Sequence, residues 1–169
     1  MNRILIVDDE ILIREVIREY GDLYGYEVDE AVDGLECVDK VSRKDYDCII
    51  LDVMMPNLDG YSTLKKIRDI NRTPVIMLSA RTEVDDKLYG FELGIDDYVS
   101  KPFSPKELFA RIKVVIERNN RSSEEIVEAD GLLIDDCAHV VKIDGNEVHL
   151  TNKEYDLLRY LVINANRAI

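Results

Sequence analysis

The sequence predicts an α/β fold in which one five-stranded parallel sheet carries helices on both faces. Short apolar runs and segments with helical spacing alternate five times between residues 3 and 120, which is the pattern of repeated strand–helix units. The runs at 4–7, 48–51 and 74–78 contain only apolar residues. Such runs are typical of parallel strands that are buried on both faces.

The first three units follow in order. After the strand at 4–7, apolar residues recur at helical spacing as far as Gly21, which we take as the end of the first helix. Residues 26–32 alternate weakly and predict an edge strand. Asp33 begins a capping-box pattern that opens the second helix. The third strand, 48–51, ends in a carboxylate and a turn, and the third helix follows.

Two further units complete the pattern. The strand at 74–78 leads to a helix that opens at Thr82 and closes at Gly94. A short strand at 97–100 precedes the last helix of this region. Residues 104–107 predict the start of that helix, because they combine an N-cap serine, a proline at the first helical position and a capping-box acid.

The pattern changes after residue 120, so we predict a domain at 1–120, a polar linker at 121–125 and a second unit at 126–169. The second unit shows short strand patterns separated by Asp-Gly turn signals, then a helix opened by a capping box at Thr151. This arrangement predicts a small antiparallel sheet followed by one helix.

Composition excludes several classes of protein. The net charge of −13 argues against non-specific binding to nucleic acid or to a membrane surface. Three scattered cysteines favour a reducing compartment over a disulfide framework. The first apolar run is too short for a signal peptide or a membrane span. We therefore expect a cytoplasmic protein without a membrane partner.

Four of the predicted strands end in groups that can carry chemistry: Asp8 and Asp9, Asp52, Ser79 and Lys101. Parallel strands point their carboxyl ends to one edge of the sheet, so these groups should meet there. Three carboxylates in one place raise each other's pKa values. A hard divalent cation resolves the repulsion, and an oxygen-only set of ligands suits Mg²⁺.

A carboxylate nucleophile, Mg²⁺, a lysine and a hydroxyl together suit phosphoryl transfer. Taken singly, each residue has another reading as a helix cap, a turn residue or a surface charge. No P-loop motif is present, and both histidines lie beyond the linker. The phosphoryl donor must therefore be another molecule.

Residues 3–120 resemble the receiver domain of two-component response regulators. The resemblance is carried by Asp8-Asp9, by Asp52 followed by Met54-Met55-Pro56 and Asp59-Gly60, by Ser79-Ala80 and by Lys101-Pro102. It implies a flavodoxin-like sheet with strand order 2-1-3-4-5, and a phosphoryl group accepted by Asp52 from a sensor histidine kinase.

The resemblance also implies roles for the neighbouring residues. Mg²⁺ would be bound by Asp9, Asp52 and the Met54 carbonyl, with Asp8 acting through water. The phosphoryl-binding and switch set would comprise Ser79, Ala80, Tyr98, Lys101 and Pro102, with a cis peptide before Pro102. The chain would then be a phosphoacceptor switch with self-catalysed phosphoryl transfer and autodephosphorylation rather than an enzyme.

A charged set resembles that of the OmpR/PhoB-type subfamily, whose members form dimers through the fourth helix, fifth strand and fifth helix. The implied pairs between two copies are Lys87 with Glu107, Asp97 with Arg111, and Asp96 with Arg118. Exposed pairs contribute only about 0.2–1 kcal/mol each. An apolar patch is therefore expected between them, formed by Leu88, Phe91 and Phe109, although these could instead be core residues. For Phe109 we expect exposure.

Residues 126–169 resemble the beginning of the winged-helix DNA-binding effector domain of the same subfamily. The recognition helix and the wing are not in this sequence, and acidic residues outnumber basic ones in this segment, so no DNA-binding residue is identifiable. The stop at Ile169 suggests a truncated piece of a longer regulator, since the last helix would otherwise expose Leu158, Leu161 and Val162.

Three functions remain in competition. The first is a transcription regulator that is switched by phosphorylation, forms homodimers on activation and binds promoter DNA in its complete form. The second is a stand-alone receiver that acts in a phosphorelay or by protein–protein interaction. The third is a hydrolase with Asp52 as nucleophile; Met54 stands where such a hydrolase usually has a second acid, which counts against it.

Overall fold

The computed structural model describes residues 1–80, 88, 90, 92–121, 126–135 and 139–165. These fall into two compact units, Met1–Ile116 and Glu117–Ile169. The division lies within the helix Pro105–Arg121, and the domain boundary at residue 120 stays a prediction. Most of the predicted linker 121–125 lies outside the described residues.

The first unit alternates strands and helices. Its described elements are β1 (Arg3–Val7), α1 (Ile11–Tyr24), β2 (Glu27–Ala31), α2 (Gly34–Arg43), β3 (Cys48–Asp52), α3 (Gly60–Ile70), β4 (Val75–Ser79), β5 (Asp97–Ser100) and α4 (Pro105–Arg121). The helix predicted between Thr82 and Gly94 lies mostly outside the described residues and carries no label.

The five strands of this unit form one parallel sheet with the order β2-β1-β3-β4-β5. The predicted fold class and strand order are therefore confirmed. Successive residues of a strand point to opposite faces, and the sheet is covered on both. Leu5 and Leu51 belong to one buried cluster, whereas Ile4 and Ile50 belong to the other.

The helix ends follow local capping rules with one departure. Asp33 and Asp59 cap α2 and α3, and each accepts a hydrogen bond from a backbone amide three residues later. The first helix does not end at Gly21. It continues to Tyr24 and is closed by Gly25, whose φ of 77° lies in the left-handed region. Gly21 is buried, and a Cβ there would lie 2.3 Å from Val28 Cγ2, so its role is close helix–strand packing.

The second unit contains β6 (Ile126–Ala129), β7 (Leu132–Asp135), β8 (Val140–Ile143), β9 (Asn146–Val148) and α5 (Asn152–Ile163). Its strands form an antiparallel sheet in chain order. The Asp-Gly turns at 130–131 and 144–145 have positive φ at all four residues. The predicted capping box at Thr151 is present.

The last helix covers two of the three apolar residues that we expected to be exposed. Tyr155 is 1 % exposed and packs with Ile134 and Val141, while Leu158 and Val162 are partly buried against the same cluster. Leu161 is exposed, as expected. In the described part of the chain, no helix has both the length and the apolar character that crossing a membrane requires.

Candidate functional site

The carboxyl edge of the parallel sheet gathers the acids and the lysine that the sequence placed there. Asp8 directly follows β1, Asp52 ends β3, and Lys101 directly follows β5. Asp8, Asp9 and Asp52 each present a carboxylate oxygen, and these oxygens lie within 4.8 Å of one another. The Lys101 Nζ lies 2.9 Å from Asp8 Oδ2 and 3.3 Å from Asp52 Oδ1. The predicted convergence is confirmed.

The cluster is buried on one side and open on the other. Asp8 is fully buried and Asp52 is 3 % exposed, whereas Asp9 is exposed. Burial, with the Asp8 charge as the second cause, raises the pKa of Asp52 to about 6, although Lys101 opposes the shift. Burial also acts to lower the pKa of Lys101, but the hydrogen bond to Asp8 and the charge of Asp52 outweigh it, so this pKa is raised. Lys101 therefore stays an ammonium.

These side chains fit a hard divalent cation. All three donors are carboxylates, the geometry allows one oxygen from each to face a common point, and Asp9 keeps that point open to solvent. Oxygen-only sites that retain water suit Mg²⁺. The single ammonium leaves the cluster with an excess of negative charge that such a cation can offset.

The connection between β3 and α3 packs against the backbone of Asp52. The Gly60 amide donates to the Val53 carbonyl at 2.9 Å. A Cβ at Gly60 would lie 2.3 Å from the Asp52 carbonyl oxygen, so the start of α3 packs directly on the phosphoacceptor candidate's backbone. The Met54 amide favours the charged form of Asp52, while the Met54 side chain is 56 % exposed.

The predicted switch residues lie on β4 and β5 or directly after these strands. Ser79 is fully buried and its carbonyl accepts a hydrogen bond from the Lys101 amide at 2.8 Å. Ala80 is exposed, and Tyr98 is partly buried against the core. The peptide between Lys101 and Pro102 is cis, as the resemblance implied.

Two residues at this edge were missed by the reasoning from sequence. Glu10 places Oε1 3.3 Å from Lys101 Nζ, and its amide donates to Asp8 Oδ1 at 2.9 Å. Arg14 donates from Nη1 to the carbonyls of Asp8 and Asp9 at 2.8 and 3.2 Å. The signal for Glu10 was its place in an unbroken run of three acids. The signal for Arg14 was its helical spacing from Ile17: it precedes that buried residue by three positions and so lies on the inner face of α1.

The charges predicted to pair between two copies have partners within one chain. Arg111 pairs with Asp97 at 2.9 Å and with Glu107 at 2.9 Å. Within the second unit, Arg118 pairs with Asp156 at 3.2 Å. In a dimer, these residues would therefore exchange an ion-pair partner in their own chain for one in the second copy. They would not form new ion pairs from charges that are free in solvent.

Asp96 is not a surface charge. It is 4 % exposed, and its Oδ2 accepts a hydrogen bond from the Val75 amide at 2.9 Å and lies 3.8 Å from Arg68 Nη2. We expected an exposed acid because Asp96 belongs to the charged set that resembles the dimer face of the OmpR/PhoB-type subfamily. A pair between Asp96 and Arg118 of a second copy would require the carboxylate to leave its buried partners.

The expectation that Phe109 is exposed is wrong. Phe109 is 4 % exposed, and its ring centroid lies 5.3 Å from that of Tyr24 and 5.5 Å from that of Tyr26. Its side chain packs with Leu108 and Ile112 in the core because α1 and the connection from α1 to β2 supply aromatic neighbours there. Leu88 is 55 % exposed. Lys87 and Phe91 lie outside the described residues.

Comparisons with known proteins agree with this architecture. Residues 4–113 match the family model of the response regulator receiver domain. The transcriptional regulatory protein SrrA of Staphylococcus aureus is 41 % identical over 174 residues, which cover 98 % of this chain and 72 % of that protein.

Two solved structures are similar as well. The response regulator DrrB, a Thermotoga maritima OmpR/PhoB homolog, has 32 % identity and a TM-score of 0.66, over 100 % of this chain and 76 % of DrrB. The receiver domain of the sensor histidine kinase PA1611 from Pseudomonas aeruginosa, which has a magnesium ion coordinated in its active-site cleft, has 34 % identity and a TM-score of 0.64, over 69 % of this chain and 98 % of that one. The chain therefore belongs to the response regulator family of two-component systems, with a receiver domain, and is homologous to transcriptional regulators.

Proposed function

We propose that the chain is a phosphorylation-switched regulator in which Asp52 accepts a phosphoryl group from a sensor histidine kinase. The observation that carries the proposal is the position of the Asp52 carboxylate. It is 3 % exposed at the tip of β3, lies 3.3 Å from the Lys101 ammonium, and has an oxygen within 4.8 Å of two further carboxylates. This arrangement concentrates opposite charges around one nucleophile.

Mg²⁺ is the cofactor that this donor set would hold. Asp8, Asp9, Asp52 and the Met54 carbonyl would supply the ligands, and the related PA1611 receiver domain carries magnesium in its own cleft. When bound, the ion supplies neutralisation of charge on the phosphoryl oxygens.

The remaining chemistry belongs to the side chains of the chain itself. An Asp52 oxygen attacks phosphorus, the new O–P bond forms as the P–N bond of the donor phosphohistidine breaks, and the bond electrons leave with the imidazole nitrogen. Lys101 turns from its carboxylate partners toward the phosphoryl oxygens. Ser79, at the end of β4, donates to a further oxygen, and Tyr98 on β5 moves into the space that this shift opens. Water later attacks phosphorus, the O–P bond to Asp52 breaks, and inorganic phosphate leaves, which restores the Asp52 carboxylate.

Phosphorylation would favour a dimer through the exposed face that includes β5 and α4. Asp97 and Arg111 would exchange their partner within the chain for one in the second copy, so the net gain per pair is small. The exposed Leu88 would supply apolar contact area. Typical allosteric coupling of about 1–3 kcal/mol would bias the two states without an absolute switch.

In its complete form the protein would regulate transcription by binding promoter DNA in the cytoplasm. The relationship to SrrA along 98 % of the chain supports this proposal. The alternative is a receiver that acts only through other proteins. Reading the coding sequence beyond codon 169, and measuring promoter binding by the full-length product with and without phosphorylation, separates the two.

The test of the phosphoacceptor is labelling by a small phosphodonor such as acetyl phosphate in the presence of Mg²⁺. Asp52→Asn should abolish labelling, because an amide cannot form the acyl phosphate. Asp59→Asn is the matched control, since Asp59 caps α3 and Asn also caps well. It should label like the wild type. Full labelling of Asp52→Asn would refute the assignment.

A further inference from the structure

Arg14 is a buried cation on the first helix of the receiver. The residue is 9 % exposed and shares the inner face of α1 with Ile17 and Gly21. Burying a guanidinium costs free energy unless its N–H groups have hydrogen-bond partners. Its partners therefore indicate what the residue does.

Those partners connect three separate segments. The Arg14 Nη1 donates to the Asp8 carbonyl at 2.8 Å and to the Asp9 carbonyl at 3.2 Å, while Nε donates to Glu30 Oε2 on β2 at 3.1 Å. The other Glu30 oxygen accepts from Arg18 Nη1 at 2.5 Å. One planar group thus fixes two consecutive carbonyls against the neighbouring strand.

The two carbonyls belong to the residues whose side chains form the acid pair. Among the described residues, no side-chain hydrogen bond caps the start of α1 at Glu10. The turn from β1 into α1 must nevertheless hold two carboxylates close to Asp52 against their mutual repulsion. Arg14 restrains the backbone of this turn, while the Glu10 amide and the Lys101 ammonium hold the Asp8 carboxylate.

We propose that Arg14 is a positioning residue that preorganises the Asp8 and Asp9 carboxylates for divalent-cation binding at the phosphoacceptor site. The inference rests on the proposed function, but it concerns the geometry of the turn, and metal affinity tests it separately from labelling. Lysine would keep the charge and lose the fork that reaches both carbonyls and Glu30 together.

The experiment compares Arg14→Lys and Arg14→Met with Arg18→Met. Arg18 is the matched control: it lies on the same helix and pairs with the same Glu30, and within the described residues it makes no hydrogen bond to the Asp8 or Asp9 carbonyl. Mg²⁺ dissociation constants are measured by calorimetry at fixed pH and ionic strength, and urea unfolding is recorded without metal.

Both Arg14 variants should bind Mg²⁺ about 10- to 100-fold more weakly, the usual loss when an outer-shell support of a metal ligand is removed. Arg18→Met should stay close to the wild type. Glu30→Gln, which weakens the anchor of both arginines, should fall between them. If Arg14→Met does not fold, the Mg²⁺ affinities of Arg14→Lys and Glu30→Gln are compared with that of Arg18→Met instead.

Unchanged Mg²⁺ affinity in a folded Arg14 variant overturns the inference, and so does an equal loss in Arg18→Met, which would point to general charge effects. A wild-type protein that binds Mg²⁺ but takes no phosphoryl label at Asp52 would instead remove the proposed function and leave the role of Arg14 standing.

Discussion

Replacing Gly60 by alanine tests how closely the start of α3 is packed on β3, the strand that ends in Asp52. The added Cβ would lie 2.3 Å from the Asp52 carbonyl oxygen and 2.8 Å from the Val53 Cα, where ordinary contacts begin at 3.4 Å. Both obstacles are backbone atoms, so neither can rotate away. Either α3 or the end of β3 must therefore move by about 1 Å, the difference between these distances.

The expected cost has two parts. Overpacking of this kind costs about 1–3 kcal/mol, offset in part because alanine favours a helix over glycine by up to about 1 kcal/mol. We expect a net loss of about 1–2 kcal/mol in the free energy of unfolding. A misplacement of about 1 Å near reacting atoms can slow a reaction by about 10²-fold, so labelling by acetyl phosphate should fall by more than the loss of stability explains.

Gly25→Ala is the matched control. Gly25 has a φ of 77°, and among the described residues a Cβ there would meet nothing within 4 Å. The left-handed conformation costs a non-glycine residue about 1–2 kcal/mol, so the two variants should be destabilised to a similar degree while only Gly60→Ala loses labelling. Urea unfolding and labelling rates, measured on the same preparations, separate the two effects. A Gly60→Ala protein with wild-type stability and rate would show that the packing argument is wrong.

Three further results are expected. Lys101→Met strips a buried carboxylate of its ammonium partner and should destabilise the metal-free protein by about 3 kcal/mol; thermal unfolding with and without Mg²⁺ should show a larger stabilisation by the ion than in the wild type. Asp33→Ala loses an N-cap worth about 1 kcal/mol. Hydrogen bonds, above all from a backbone amide, lower the pKa of Asp33 in the folded protein. The stabilisation by Asp33 is therefore complete above the pKa of this acid in the unfolded chain, and it is lost as the pH falls through the lower pKa of the folded protein. The difference in unfolding free energy between Asp33→Ala and the wild type should disappear over that pH range. Arg111→Glu breaks the pairs with Asp97 and Glu107 and places like charges beside both; light scattering should show that the phosphorylated protein forms dimers more weakly, and unchanged dimerisation would refute the proposed exchange of pairs.

The sheet and its functional edge were predictable because both follow from patterns that read directly along the chain. Apolar runs such as 48–51, bounded by turn signals, are typical of strands that are covered on both faces, and the carboxyl ends of parallel strands share an edge. The meeting of Asp8, Asp52 and Lys101 needed nothing more than that topology.

Side-chain direction was not predictable to the same extent. Asp96 and Asp97 are adjacent acids, yet the first is buried and the second is partly exposed, because a backbone amide and Arg68 from other segments happen to face Asp96. Phe109 turns inward since Tyr24 and Tyr26 lie beside it. Such partners come from distant parts of the chain, so a local sequence pattern does not predict which side chains they bury.

The charge balance of the cluster would let one lysine serve both states of the proposed switch. Three carboxylates and one ammonium carry a net charge of −2 when all are ionised, and Lys101 then pairs with Asp8 and Asp52. A divalent cation would bring that charge to zero and take over the task of holding the acids together, which leaves the ammonium less tightly held. Phosphorylation of Asp52 would add negative charge at that residue itself. The ammonium would then gain most by moving to the new oxygens, so the ion and the phosphoryl group would act in sequence on Lys101.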